Sequence, residues 1–418
     1  MHSVLILMFG QSNADAHNAG PALTVPFLEN PSVVVPNDGR GFQGLRGGQR
    51  LAPITGFVPS YNPKGKIQSI GAAMGCSFLE QNGDPEISRV IVRSAARGGA
   101  PFTSIREPDR IREGLYLEPD GRYSPTFECF LEDARQIVAA AEADGSPVRR
   151  VYIPFFHGEA DRSMARGRYF IALTQMMDDI DGFFADLGIR STWLLTQAAG
   201  TSDGATGGAW PNRLAVVDVA QERPNAHLVA VNYAYELEDK LHLNAESKAL
   251  IGEAMARRAL CIESGKSPRL SQVRDVEVFN NIITLRFDSP TGITIDTTRF
   301  DAPEKSALGF MVDGQPGQSV NSVRQLGPKK IEIACALPVS PTARLNYAYE
   351  KRTSIPGYES DRYFPLSRGC LREAWSDASR IVAGAEILSW LPAFSIPLSE
   401  PAAPVLPNQV DTIEQMVA

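Results

Sequence analysis

In this chain of 418 residues, Gly10-Gln11-Ser12-Asn13 directly follows the apolar run Val4–Phe9. A serine in a tight glycine-containing turn at the end of a strand projects its hydroxyl outward, as a nucleophile requires. Ser and Asn also fill turns and cap helices for local reasons, so the tetrapeptide alone decides nothing. A serine nucleophile needs a base, usually histidine. The chain has five candidates: His2, His17, His157, His227 and His242. His2 is at the chain start, and His227 begins an apolar run and is expected to pack. His17 is near Ser12 in sequence but has no obvious orienting acid. His242 stands in Asp239-Lys240-Leu241-His242. An aspartate three residues upstream can reach the imidazole Nδ1–H through a tight turn and fix its tautomer. The bland reading of D-x-x-H is a solvated turn, and only its place in the fold raises its weight.

Two more segments carry suitable chemistry. Arg97-Gly98-Gly99-Ala100-Pro101 has adjacent glycines that let a backbone N–H approach a ligand, which an oxyanion hole needs. A flexible turn is the equal alternative. His157-Gly158-Glu159-Ala160-Asp161 gathers two carboxylates and an imidazole. Its acids serve either to cap the next helix and pair with Arg162 or Arg166, or, less simply, as metal ligands with His157. A rival nucleophile lies in Gly200-Thr201-Ser202-Asp203-Gly204, which has the G-x-S-x-G spacing of a nucleophile elbow. Gln197-Ala198-Ala199 separates it from the preceding strand, and Gly207 and Gly208 follow, so a flexible polar loop is the better reading.

The elements that must position these residues alternate. Strand-like runs lie at Val4–Phe9, Val90–Arg93, Arg150–Phe156, Thr192–Thr196 and His227–Val231. They are short, nearly all apolar and bounded by turn residues, as in parallel strands buried on both faces. Helical patterns fall at Ile67–Gln81, Thr126–Ala143, Tyr169–Leu187, Ala215–Glu222 and Ala245–Ile262, the last with Asn244 as N-cap. This predicts a three-layer α/β/α sandwich around a five-stranded parallel sheet. Ligands bind such sheets at the carboxyl ends of the strands, where the segments above fall. The long Gly- and Pro-rich stretch between Phe9 and Ile67 reads as a wall or lid. After Gly265 the pattern becomes short and alternating, at Val273–Phe279, Ile282–Phe287, Leu308–Val312, Lys330–Leu337 and Ala343–Tyr349. That predicts an all-β, sandwich-like module. The expected organisation is an α/β/α domain over 1–264, a β-rich domain over 265–400 and an extended tail over 401–418.

Composition narrows the function classes. Lys plus Arg number 41 and Asp plus Glu 48, a net charge of −7. That argues against nucleic acid or an anionic membrane as the main partner. No apolar run is long enough to span a membrane. Five cysteines without a CxxC pair make a cysteine metal site improbable and read as free thiols. The apolar N-terminus lacks the flanks of a signal peptide, which favours a cytoplasmic or particle-associated protein over a secreted one.

G-Q-S-N after the first strand, G-G after the second, G-E-x-D after the third and D-x-x-H before the last helix occur in that order. The chain thereby resembles the SGNH hydrolase superfamily, and within it the sialate O-acetylesterase and carbohydrate esterase family 6 branch. The resemblance covers roughly residues 1–262 and implies a flavodoxin-like SGNH fold without a metal or other cofactor. It implies Ser12 as nucleophile, His242 as general base and acid, and Asp239 as its partner. The oxyanion hole would take the N–H of Ser12 and of Gly98 or Gly99. A Gln commonly precedes G-E-x-D in the family. Here His157 stands there, and imidazole can supply one N–H to the hole. Gln11, Asn13, Glu159 and Asp161 would support the site. The implied activity is removal of O-acetyl groups from a carbohydrate, a glycan or sialic-acid-like sugar. Phe42, Gln43, Phe57 and Tyr61 would line a saccharide surface, and Arg97 or Arg162 would meet a carboxylated sugar. The alternatives are a general short-chain or lipolytic esterase of the same superfamily, or a non-catalytic carbohydrate-binding protein on the same scaffold.

Overall fold

The computed structural model describes residues 1–15, 20–42, 44, 52–60, 67–200, 209–239, 241–266, 269–298, 307–349 and 368–399. His17, Gln43, Tyr61, Ser202 and the 401–418 tail lie outside the described residues. The first part contains strands β1 (His2–Gly10), β2 (Val33–Pro36), β3 (Phe57–Pro59), β4 (Ile87–Ser94), β5 (Ile105–Glu107), β6 (Arg110–Arg112), β7 (Val148–Phe156), β8 (Arg190–Gln197) and β9 (Ala226–Val231). Its helices are α1 (Ile70–Gln81), α2 (Pro125–Ala143), α3 (Arg166–Asp186), α4 (Pro211–Glu222) and α5 (Ala245–Glu263).

Among the described residues, seven strands form one sheet in the order β3-β2-β4-β1-β7-β8-β9. The five expected strands are its centre and one flank, all mutually parallel. The expected strand count is corrected by β2 and β3. The Val33-Val34-Val35 run is β-branched and pairs parallel with β4, while β3 returns antiparallel along β2. The sheet is therefore mixed, and part of the supposed lid is its edge. Pro36 and Pro59 sit in these outer strands, where a missing N–H costs least.

β1 explains the layering. It is central, and nearly every side chain in it is buried. Successive side chains point to opposite faces. Met8 faces α1: a Cβ added at Gly71 would come within 2.9 Å of its sulfur. Phe9, on the other face, packs against Phe130 of α2 at a ring-centroid distance of 4.4 Å. Helices thus cover both faces. On the α1 side, α5 lies directly against α1. A Cβ at Gly252 would meet Ala73 Cβ and the Ile70 carbonyl, each at 2.6 Å.

The second part is all β: β10 (Val273–Phe279), β11 (Ile282–Phe287), β12 (Ile293–Ile295), β13 (Phe310–Asp313), β14 (Val320–Gly327), β15 (Lys330–Cys335), β16 (Arg344–Tyr347), β17 (Leu371–Ala378), β18 (Glu386–Trp390) and β19 (Phe394–Pro397). Among the described residues these strands form three antiparallel sheets, β10-β11-β15-β14, β12-β17-β18 and β13-β16-β19. Buried polar contacts join this part to the first. Gln197 donates to the Ala393 carbonyl (3.0 Å) and accepts from the Ala393 N–H (2.7 Å). Arg258 of α5 donates to Glu373 at 3.0 Å. Tyr233 donates to the Leu391 carbonyl at 2.6 Å. All five cysteines are free thiols. Among the described residues no helix is long and apolar enough to cross a membrane.

Gly252→Leu is expected to force α1 and α5 apart and destabilise the fold by about 2–3 kcal/mol. A lower urea midpoint without loss of secondary structure in the native baseline is the outcome to look for; an unchanged midpoint would mean the helices are not in this contact.

Candidate active site

Three segments meet at the carboxyl end of the sheet. The first is the turn after β1. Gly10 has φ +120°, and a Cβ there would fall 2.0 Å from the Phe156 carbonyl oxygen. Only glycine lets β7 approach so closely. Gln11 N–H then donates to that same carbonyl, and the Gln11 carbonyl accepts from Ala14 and Asp15. Ser12 sits in this turn, 8 % exposed.

The second segment is the loop between β9 and α5. Asp239 Oδ1 accepts from the backbone N–H of Leu241 and of His242, both at 2.8 Å. The same carboxylate's Oδ2 receives His242 Nδ1 at 2.7 Å. Asp239 therefore shapes the turn and orients the ring that the turn carries. With Nδ1 donating to the carboxylate, Nε2 carries the ring's lone pair, and Ser12 Oγ lies 2.9 Å from it. The side chain of His242 is 15 % exposed, open enough to meet a ligand.

Asn13 locks these two segments together. Its amide nitrogen donates to the Leu241 carbonyl at 3.2 Å, and its oxygen accepts from Leu243 N–H at 3.0 Å. It also donates to the Glu159 carboxylate. Both donors and the acceptor of one amide are spent on alignment. Further along, Asn244 caps α5 by accepting from Ser247 N–H at 2.8 Å.

The third segment follows β7. Gln11 Oε1 faces the N–H of Gly158 and Ala160 at 3.4 and 3.3 Å. Asn212 holds the loop from behind, donating to the carbonyls of Gly158 (2.6 Å) and Asp161 (3.0 Å). Asp161 Oδ2 accepts from Phe102 N–H at 2.7 Å. Glu159 is buried, and desolvation pushes its carboxyl up to about 7.

His157 departs from expectation. Its Nε2 lies 3.0 Å from the Ala100 carbonyl, which can only accept. Nδ1 lies 2.9 Å from Tyr169 Oη and must therefore accept. Burial lowers its pKa, so the ring is neutral and has one N–H, already given to Ala100. No N–H remains for an oxyanion. The ring packs against both Phe102 and Tyr169 and pins the loop that carries Gly98 and Gly99. Gly98 itself is against the serine: a Cβ there would lie 4.0 Å from Ser12 Cβ. Among the described residues, the N–H groups of Ser12 and Gly98 have no acceptor. His157 Nε2 also lies 3.5 Å from Asp161 Oδ2, while the Glu159 carboxylate is directed to Asn13.

Of the other expected residues, Arg97 is engaged by Glu113 at 3.3 Å. Phe57 lies under the Arg89 guanidinium at 4.5 Å, in the sheet edge. His227 is buried in β9. Sequence reasoning missed Lys248, buried in α5 with the carboxylates of Asp15 and Asp239 acting on it and lowered by burial to about 7. Nothing at sequence level marks it beyond its place one turn after Asn244.

No protein-family description matches the chain. No curated protein matches it either. Among solved structures it is similar to a carbohydrate acetylesterase from Xanthomonas citri, at 13 % identity and a TM-score of 0.55, over 89 % of this chain and 81 % of that one. It also aligns with NanS at 13 % identity and a TM-score of 0.45, over 63 % and 98 % of the two chains. A protein from Arabidopsis thaliana aligns at 13 % identity and a TM-score of 0.38, over 62 % and 97 %. The first likeness establishes a shared fold, and it extends beyond the α/β part.

Glu159 gives a pH prediction. Its folded pKa of about 7 lies above the ordinary 4.5, so its stability contribution is full below about pH 4.5 and is lost as pH rises through 7. Glu159→Gln should match the wild type near pH 4.5 and gain on it by up to about 3 kcal/mol at pH 9. Denaturant titrations at the two pH values check this; a pH-independent difference would contradict it.

Proposed function

We propose that the chain is a serine esterase that removes O-acetyl groups from a carbohydrate. The observation that carries this reading is the hydrogen-bonded relay Asp239–His242–Ser12, with contacts of 2.7 and 2.9 Å. The fold shared with a carbohydrate acetylesterase supports the substrate class. In the proposed reaction His242 Nε2 takes the Ser12 proton as Oγ attacks the acetyl carbonyl. The imidazolium formed is stabilised by Asp239. The oxyanion accepts hydrogen bonds from the N–H of Ser12 and of Gly98 or Gly99. His242 then protonates the departing sugar alkoxide. Water, deprotonated by the same ring, releases acetate and restores Ser12. No metal or other cofactor enters these steps.

His157 contributes by holding the Gly98–Ala100 loop, and Gln11, Asn13, Glu159 and Asp161 keep the three segments in register. We assign the reaction to residues 1–264. The β-rich residues 265–400 act as a support docked on α5 and β8, and the polar docking contacts are what favour that role.

Ser12→Ala should reduce acetate release from O-acetylated glycans and from p-nitrophenyl acetate by about a thousandfold or more, with the protein still folded. Asp239→Asn should act mainly on kcat, because the ring tautomer rather than substrate binding is lost. Unchanged release by Ser12→Ala would remove the proposal.

A further inference from the structure

Beside the proposed site, a small hairpin, the loop after β7 and the start of α3 line an open cavity of about 730 Å³. The hairpin is β5–β6, with Ile105 opposite Arg112 and Glu107 opposite Arg110. By strand alternation Ile105, Glu107, Arg110 and Arg112 share one face, and of these Ile105 and the two arginines line the cavity. The opposite face carries Arg106, bound to Glu118, and the exposed Ile111. Arg162 and Arg168 line the cavity from the loop after β7 and the start of α3.

The four arginines differ from their neighbours. Arg97, Arg106 and Arg166 are each paired, with Glu113, Glu118 and Asp218. Among the described residues, Arg110, Arg112, Arg162 and Arg168 have no carboxylate within 4.0 Å. The cavity's two acids are directed elsewhere: Glu159 to Asn13 and Asp161 to Phe102 N–H. A second feature adds to the field. The N-cap of α3, Ala165, supplies no side-chain cap, and both Ala165 and Met164 line the cavity. The positive end of a long helix is thus open there. All this occurs in a chain whose net charge is −7, so the basic cluster is local.

We infer that the cavity is a subsite for an acidic glycan, one bearing an anionic group on more than one sugar ring. The inference rests on the esterase reading for its meaning. Glu159 connects the two places: it lines the cavity and accepts from Asn13, the neighbour of Ser12. A sugar seated on the arginines extends from that cavity toward the serine. Guanidinium forks match carboxylate geometry, and four of them exceed what a single carboxylate can engage. A cavity of this volume is at the upper end for a small ligand, and so has room for more than one ring. Net positive charge here also draws a polyanion in from solution, an effect that salt screens.

The test has two arms on the full chain. In the first, titration calorimetry measures binding of non-acetylated oligogalacturonate and oligo-α2,8-sialate, each beside its carboxyl-reduced form. At least one acidic oligomer should bind tenfold or more tightly than its reduced form at low salt. That advantage should shrink at 0.5 M NaCl and largely disappear in Arg110→Gln/Arg112→Gln and in Arg162→Gln/Arg168→Gln. Because the hairpin arginines are exposed, the first pair also answers for folding. The second arm compares kcat/KM for acetylated acidic and acetylated carboxyl-reduced oligomers. The acidic-to-reduced ratio should fall at least tenfold in both variants, through KM. If acidic and reduced forms bind alike, or if the variants keep the preference, the subsite is wrong. Failure of the esterase reading reads differently: no ester, including p-nitrophenyl acetate, would turn over, while the binding arm would still decide the subsite.

Discussion

One side-chain amide ties together groups that lie 230 residues apart. Asn13 bonds to Leu241 and Leu243 on either side of His242, and so fixes the imidazole above the neighbouring Ser12. A serine hydroxyl and an imidazole on separate loops would otherwise sample many distances. A reaction of the proposed kind loses rate steeply with misplacement of about 1 Å. The third bond of the same amide, to Glu159, brings the loop after β7 into the same frame. The site is thus held less by its reacting groups than by the residue beside them.

The sheet makes this frame possible. Parallel strands deliver every carboxyl end to one edge, and β1 is central between β4 and β7. Gly10 admits the Phe156 carbonyl, which sets the height of the turn that carries Ser12. His157 plays the matching part on the far side. By spending its one N–H on Ala100, it trades a direct role in charge stabilisation for control of the loop that bears Gly98. With that donor gone, the proposed hole has backbone N–H groups alone.

The sequence made the core of this legible, for identifiable reasons. β1, β4, β7, β8 and β9 are largely buried and each holds an apolar stretch, so they stand out as runs. Asp239 and His242 stand out in the sequence because so few histidines compete and the acid is three residues away. The partners of His157 were invisible: Tyr169 and Ala100 reach it from a helix and a loop, and no spacing encodes that. β2 was hidden because Val33–Val35 lies among glycines and prolines that read as loop, and an edge strand needs only a short run. β5 and β6 are three residues each and mostly charged, so no apolar alternation announced them. Yet they carry half of the basic cluster, which only tertiary structure assembles with Arg162 and Arg168. The division of the β-rich part into three small sheets reflects the same limit, since strand pairing over long separations leaves no local trace.

The proposed reaction requires Ser12 to carry the acyl group. Acid-quenching the enzyme during turnover of p-nitrophenyl acetate and mapping the adduct by peptide mass spectrometry tests it most directly. One acetyl group is expected on the peptide containing Ser12, located on that serine and absent from Ser12→Ala. An acetyl group on another residue that is chemically competent to turn over, or turnover with Ser12 never modified, would contradict it.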